Sequence, residues 1–460
     1  MADGATKPLA GLSLAVLLSS LGTSIANVAL PELALAFDAA FREVQWIVLA
    51  YLLAITTLIV GAGRLGDIVG RRRLLLAGIA AFAAGSALCA AAPSLWFLVA
   101  ARAVQGLGAA IMMALAMAMV GGAVPKERTG RAMGLLATMS AAGTALGPSL
   151  GGLLIAWTGW PAIFVVNLPL AALAFVFVRA LPADPQMPAG ERPAFDVAGA
   201  LLLAATLGAF AFAMTAGTYG PALLAVAAAG LVLFVRVETK SASPLVRLSM
   251  FADPGLGTGL ATSALVMTVM MTTLIVGPFY LVRTLGLDAG TAGLVMAVGP
   301  VVTALAGVPA GRMADRFGAR RMTVAGLAGV AAGALALSEI PAMFGVAGYV
   351  AALVATTASY AQFQTANNAA VMAGAAADRR GVVSGLLNLS RNLGLVAGAS
   401  AMGTVFAFAS GAADIATAGP EAVAAGMRVA FEVAAVLVAA ALAIVLAAKP
   451  PSPSRRPGAR

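Results

Sequence analysis

Fourteen apolar stretches, each about as long as a helix that crosses a bilayer, succeed one another along this 460-residue chain. They fall near residues 10–32, 44–63, 74–91, 95–121, 132–157, 162–181, 197–216, 220–236, 256–282, 289–311, 322–338, 343–368, 382–408 and 428–448. No water reaches the hydrocarbon core to satisfy backbone N–H and C=O groups, so runs of about twenty residues cross as helices, whereas barrel strands need only about ten. The chain is 61% apolar and 10% charged, against roughly a quarter charged in soluble domains. The expected fold class is an all-α polytopic membrane protein.

The basic residues orient it. With the N-terminus inside, 23 of the 28 Lys and Arg fall on the inner side, Arg42, Arg283 and Arg428 on the outer side, and Arg102 and Arg391 within spans. This positive-inside bias predicts both termini in the cytoplasm of a plasma membrane, the inner membrane of a bacterium. It also accounts for the net charge of +10 without nucleic acid. Trp46, Trp96, Trp157 and Trp160 all fall at predicted outer ends, where amphipathic rings favour the headgroup region. Cys89 stands alone and histidine is absent, so no disulfide, metal centre, cofactor or enzymatic function is expected. Lys7 ahead of an apolar run looks like a signal-peptide start, but the run continues to Leu30 and reads as a retained helix.

The chain also repeats itself. Gly63 to Arg73, GRLGDIVGRRR, returns 248 residues later as Gly311 to Arg321, GRMADRFGARR. Gly63/Gly311, Arg64/Arg312, Asp67/Asp315, Gly70/Gly318, Arg72/Arg320 and Arg73/Arg321 coincide. Each copy reads as a short cytoplasmic loop that begins at its first glycine. A second match, at an offset of 251, pairs Arg128, Gly130 and Gly134 with Arg379, Gly381 and Gly385. Parallel halves of this kind enclose a central cavity in transporters. The expected domains are an N-terminal six-helix bundle (1–181), a loop with two extra helices (182–250), a C-terminal six-helix bundle (251–449) and a disordered tail (450–460).

The repeated stretch resembles the signature loop of the major facilitator superfamily, which joins helices 2 and 3 and recurs in the second half. LGTSIANVALP, from Leu21 to Pro31, resembles the helix 1 signature of its fourteen-helix drug:proton antiporters (EmrB/QacA-like), roughly LDxTIVNVALP. This resemblance implies a secondary transporter that exports lipophilic or amphipathic small molecules by alternating access and exchanges them for protons or another ion. The implied surroundings are a lipid bilayer and a monomeric state. The gating residues implied are Gly63, Arg64, Asp67, Gly70, Arg71, Gly311, Asp315, Gly318 and Arg320. Arg102 and Gln105 resemble the RxxQG motif of helix 4, and Gly143, Gly147, Pro148, Gly151 and Gly152 the antiporter motif of helix 5. Gly394 and Gly398 echo Gly143 and Gly147 without the proline.

One departure stands out: Gly22 replaces the family's membrane aspartate. All 18 Asp and Glu read as lying away from span centres, with Glu432 in the first turn of the last span. Polar side chains gather instead at Asn27, Arg102, Gln105, Gln362, Gln364, Asn367, Asn388 and Arg391, the expected coupling and substrate cavity. Methionines at 112, 113, 117, 119, 267, 270 and 271 suit a pocket that repacks around varied ligands. Two arginines at membrane depth without an acid leave other readings open: an exporter or uniporter of anionic metabolites, or a non-transporting membrane receptor or sensor.

Overall fold

The computed structural model describes residues 3–123, 129–181, 196–215, 219–241, 244, 253–374, 380–412, 415 and 417–448, and every regular element among them is helical. The first eight helices are α1 (Asp3–Val28), α2 (Leu30–Ala36), α3 (Phe41–Val69), α4 (Arg71–Ala90), α5 (Leu95–Ala123), α6 (Thr129–Thr158), α7 (Ala162–Val165) and α8 (Asn167–Arg179). Then come α9 (Val197–Thr215), α10 (Gly220–Lys240), α11 (Pro254–Phe279), α12 (Ala289–Phe317), α13 (Ala319–Gly374), α14 (Arg380–Ala397), α15 (Gly403–Ala409) and α16 (Pro420–Ala447). Single π-turns extend α11 (Tyr280–Thr284) and join α14 to α15 (Gly398–Met402).

Thirteen helical stretches among the described residues are long and apolar enough to cross a membrane. One of them, α13, has 56 residues, about 84 Å at 1.5 Å per residue, far beyond a core of about 30 Å. It breaks at Gly345, whose φ of 56° and ψ of −135° leave the helical region, so α13 is long enough to cross twice and the crossings among the described residues number fourteen. From α1 to α16 the described helices therefore begin and end on one face. That face is called proximal below, and the opposite one distal.

Helices α1 to α8 pack mainly on one another, as do α11 to α16, with α6 against α12 as the broadest contact between the two groups; α9 and α10 pair together, α9 also touching α3. The buried side chains are chiefly Leu, Val, Ile, Ala and Phe. Large apolar side chains also cover the outside, among them Trp157 and Phe408, 77% and 83% exposed, as expected where the solvent is lipid.

The structure revises two details of the sequence reading. The repeated stretch is not a loop that starts at Gly63 or Gly311: α3 continues to Val69 and α12 to Phe317, and each turn is one residue, Gly70 or Gly318. Their φ angles of 102° and 88° explain why glycine stands there, while Gly63 and Gly311 are ordinary helical residues. Furthermore, α16 begins at Pro420 rather than near 428, so Glu432 lies three turns inside the helix, on its exposed side. The Pro-rich stretch 182–193, the tail 450–460, Arg128 and Arg379 lie outside the described residues.

Candidate functional site

Arg102 on α5 is the largest fully buried side chain, at 0% exposure. Close helix packing puts it there: a Cβ on Gly85 would stand 2.6 Å from the Gln105 nitrogen, and one on Gly106 2.6 Å from the Tyr51 carbonyl, so α3, α4 and α5 approach almost backbone to backbone. A guanidinium so enclosed needs acceptors. Its Nε donates to the Ile47 carbonyl (3.0 Å), Nη2 to the Gly22 carbonyl (3.0 Å) and Nη1 to Gln105 Oε1 (2.5 Å). Gln105 in turn donates to Ser86 Oγ at 2.7 Å. The Tyr51 ring lies over the guanidinium, 4.1 Å from centroid to carbon, and its hydroxyl donates to the Ser19 carbonyl at 2.8 Å.

Gly22 is the hinge of this arrangement. A Cβ there would meet the Tyr51 hydroxyl at 2.7 Å and the Phe82 ring at 3.2 Å. The space an acid would use is filled by an aromatic ring, and the cation is balanced by carbonyls, an amide and a π face. Asn27, also fully buried, donates to the Thr23 and Ser24 carbonyls of its own helix. Its Oδ1 has no partner among the described residues.

Arg391 on α14 is only half-buried and has different partners. Gln364, with its amide oriented by the surrounding donors, accepts from both terminal nitrogens of Arg391 (3.1 and 3.0 Å) and lies 3.0 Å from the Tyr360 hydroxyl. That hydroxyl is also 3.2 Å from the Met267 sulfur. Ser263, Met267, Tyr360, Gln364, Asn368 and Arg391, among others, meet at a narrow seam too tight to admit a water molecule. Asn367 donates to the Gly259 carbonyl at 3.0 Å and so ties α13 to α11. Gln362 Nε2 is buried without a partner among the described residues, and Asn388 is half-buried. Thus Tyr360, Gln364, Asn367 and Arg391 come together, and the cluster around Arg102 and Gln105 is separate from them.

The glycines of α6 divide between two faces. Gly143, Gly147 and Gly151 lie against α1, where added Cβ atoms would strike Leu17, Ser24 and Val28; Ser24 Oγ donates across this seam to the Gly143 carbonyl at 3.2 Å. Gly152 instead faces the Ala289 carbonyl of α12, and Gly293 of α12 faces the Pro148 carbonyl. The second repeat rebuilds the first seam: Gly394 and Gly398 lie on Ala264, Met267 and Thr268 of α11, and Thr268 Oγ1 donates to the Gly394 carbonyl at 3.1 Å.

At the distal face the two groups of helices are sealed by side chains. Phe41 packs edge-on against Phe279 (4.9 Å) and Phe406 (5.4 Å). Trp46 donates to Thr215 Oγ1 at 3.3 Å, and Thr404 to the Met214 carbonyl at 2.6 Å. Gln45, fully buried, is pressed against Gly403 with neither amide atom partnered among the described residues.

At the proximal face Asp67 pairs with Arg71 at 2.9 Å, one helical turn away across Gly70, and Arg71 Nη1 reaches the Ala118 carbonyl of α5 at 3.4 Å. Arg72 donates to the Arg179 carbonyl at the end of α8. Its repeat mate Arg320 donates to the carbonyls of Val445 (3.2 Å) and Ala448 (2.8 Å) at the end of α16. The bridges between helix ends thus run from arginines to C-terminal carbonyls, where cations are favoured, rather than through both aspartates. Asp315 is exposed, and the side chain of Arg64 lies outside the described set.

The chain matches the Major Facilitator Superfamily over residues 12–399 and again over 258–460. It belongs to the major facilitator superfamily. This facilitator is 32% identical over 399 residues to the multidrug resistance protein Stp of Mycobacterium tuberculosis, covering 83% of this chain and 72% of Stp. It is 33% identical over 406 residues to the multidrug efflux pump LfrA of Mycolicibacterium smegmatis, covering 86% and 80%. The fold superposes with a TM-score of 0.71 on a bacterial homologue of the human lysosomal transporter Spinster, crystallised inward-facing and unoccupied, at 17% identity over 97% of both chains. As a facilitator it is a multi-pass membrane transporter.

Sequence reasoning did not find Tyr51, Ser86 or Gln45. A buried arginine without an acid signals that some other partner is needed, and a tyrosine in the otherwise aliphatic run IVLAYLL was the available clue.

Proposed function

We propose that this facilitator exports lipophilic or amphipathic small molecules by alternating access, as a fourteen-helix carrier of the drug-efflux type. The proximal face is cytoplasmic in this reading, the membrane is the bacterial inner membrane, and the carrier works as a monomer. Residues 1–181 and 251–449 form the two rocking bundles, with 182–250 carrying the inserted pair. The observation that carries the reading is the matched construction of the repeats: the seam of α6 on α1 recurs as α14 on α11, while Pro148, Gly152 and Gly293 bring the bundles together at the distal side. Such backbone-close seams let helices slide or separate without side chains unlocking. The relatives support the direction, LfrA being a multidrug efflux pump and Stp a multidrug resistance protein.

Arg102 serves as a fixed tie between α1, α3 and α5, and the Arg391 cluster with Asn388 and Gln362 supplies the polar wall of the cavity. Asp67 and Arg71, with Arg320, hold the cytoplasmic helix ends. The test is accumulation of cationic, neutral and anionic amphiphiles in pump-deficient cells expressing the protein. Lower accumulation of at least one class is expected; unchanged accumulation of all three would refute export.

A further inference from the structure

The two intramembrane arginines differ in what they can still bind. Arg102 is sealed, with three acceptors and a ring over its face, so it has no position open to a ligand. Arg391 is only half-buried, at the narrow seam between α11, α13 and α14, and its acceptor among the described residues is one neutral amide oxygen, that of Gln364. No carboxylate lies within ion-pair distance of it among the described residues. A full positive charge at membrane depth with only a neutral acceptor is a strong attractor for an anion.

We propose that Arg391 binds an anionic head group of the substrate, a carboxylate or sulfonate, and that the outward movement of this negative charge down the membrane potential drives export without a coupled proton. The inference rests on the export reading above and names its substrate class. In the loaded carrier the anion replaces Gln364 as the bidentate acceptor, and the pair crosses neutral. In the empty carrier Gln364 and Tyr360 take the guanidinium back, which lets the unloaded protein return. One negative charge moves outward per cycle, and an inside-negative potential favours an outward gradient of a monoanion by about fifty-fold per 100 mV. This removes the need for the acid that Gly22 replaces. Glu432, the acid set deepest in α16, is on that helix's exposed side, and Tyr51 occupies the space beside Arg102.

The test uses the full chain in proteoliposomes, with 2-naphthalenesulfonate as anionic probe, 2-naphthalenesulfonamide as its neutral analogue and a naphthylmethyl-trimethylammonium salt as cation. A potential is set by valinomycin and potassium, and a pH gradient is imposed separately. Sulfonate flux should follow the potential and ignore the pH gradient. R391Q should lower the ratio of sulfonate to sulfonamide flux at least tenfold, while R391K keeps it within about threefold. Q364L should slow net sulfonate flux at least fivefold more than it slows sulfonate-for-sulfonate exchange, because exchange never requires the empty carrier to cross. Monodisperse elution and an unchanged unfolding midpoint establish that the variants are folded. Flux that follows the pH gradient, above all if E432Q abolishes it, overturns the proposal. Transport of the sulfonamide or cation without the sulfonate overturns it and leaves the export reading standing. If none of the three probes moves, both fail.

Discussion

Placing a methyl group at Gly22 tests whether Tyr51 fills the place of the missing acid. The added Cβ would stand 2.7 Å from the Tyr51 hydroxyl and 3.2 Å from its Cζ. The ring cannot simply swing aside, because its hydroxyl is bonded to the Ser19 carbonyl and its face covers Arg102. Gly22→Ala should therefore cost about 1–3 kcal/mol as an overpacked core substitution. Tyr51→Phe deletes the hydroxyl and its hydrogen bond, a loss of about 1 kcal/mol, but keeps the ring over the guanidinium. In the double variant the closest contacts lengthen from 2.7 to 3.2 Å, to the ring Cζ and to Phe82, a crowding that shifts of a few tenths of an ångström can relieve. Its destabilisation should then fall short of the sum of the singles by about 1–2 kcal/mol, well above the scatter of about 0.5 kcal/mol seen for independent sites. The assay is thermal unfolding of the detergent-solubilised protein followed by maleimide labelling of Cys89, the one cysteine of the chain and fully buried. Additive singles would mean that the hydroxyl does not occupy the space of a residue 22 side chain, and the account of Arg102 would fail.

Three further outcomes follow from the same contacts. Gln45→Leu removes a buried amide that has no partner among the described residues, so it should stabilise the distally sealed form by about 1–3 kcal/mol; a higher unfolding midpoint with slower transport is expected. Arg320→Ala removes the cation from the last carbonyls of α16 and should cost about 0.5–2 kcal/mol, read as a lower unfolding midpoint, with a similar loss for Arg72→Ala. The N–H and hydroxyl of Thr291 donate to Asp288 at the start of α12 (3.0 and 2.6 Å), and the hydroxyl bond is the chief reason the carboxyl is held below its usual range. A lowered folded pKa stabilises above the unfolded value of about 3.9 and is lost as pH falls through the folded one. The difference in unfolding midpoint between the parent and Asp288→Asn should therefore be constant from pH 5 to 8 and shrink below about pH 4.

The spans were legible because lipid leaves helices almost no competitor, and the repeat was legible because identical residues recur at a fixed offset. What the sequence hid was backbone. Gly63 and Gly311 look like helix breakers beside Arg and Asp, yet only Gly70 and Gly318 take positive φ, and the four glycines read alike. The acceptors of Arg102 are carbonyls of Ile47 and Gly22, groups that every residue carries and that leave no compositional mark. Its ring partner Tyr51 lies 51 positions away on a helix whose rotation no periodicity fixes. The start of α16 was misjudged because Arg428 reads as a membrane boundary; its guanidinium is satisfied at 3.2 Å by Glu339 of α13, and the helix continues beyond it to Pro420. The glycine pattern of α6 announced close packing, but which glycines meet α1 and which meet α12 depends on a tertiary arrangement.

Locking the distal seal tests alternating access most directly. In a Cys89→Ser background, Phe41→Cys and Phe406→Cys put one thiol on each moving group, at positions whose rings now stand 5.4 Å apart between centroids. Bridging that pair with a short bis-methanethiosulfonate in transport-competent vesicles should abolish flux, and reduction should restore it. Undiminished flux through the cross-linked carrier would contradict alternating access through this seal.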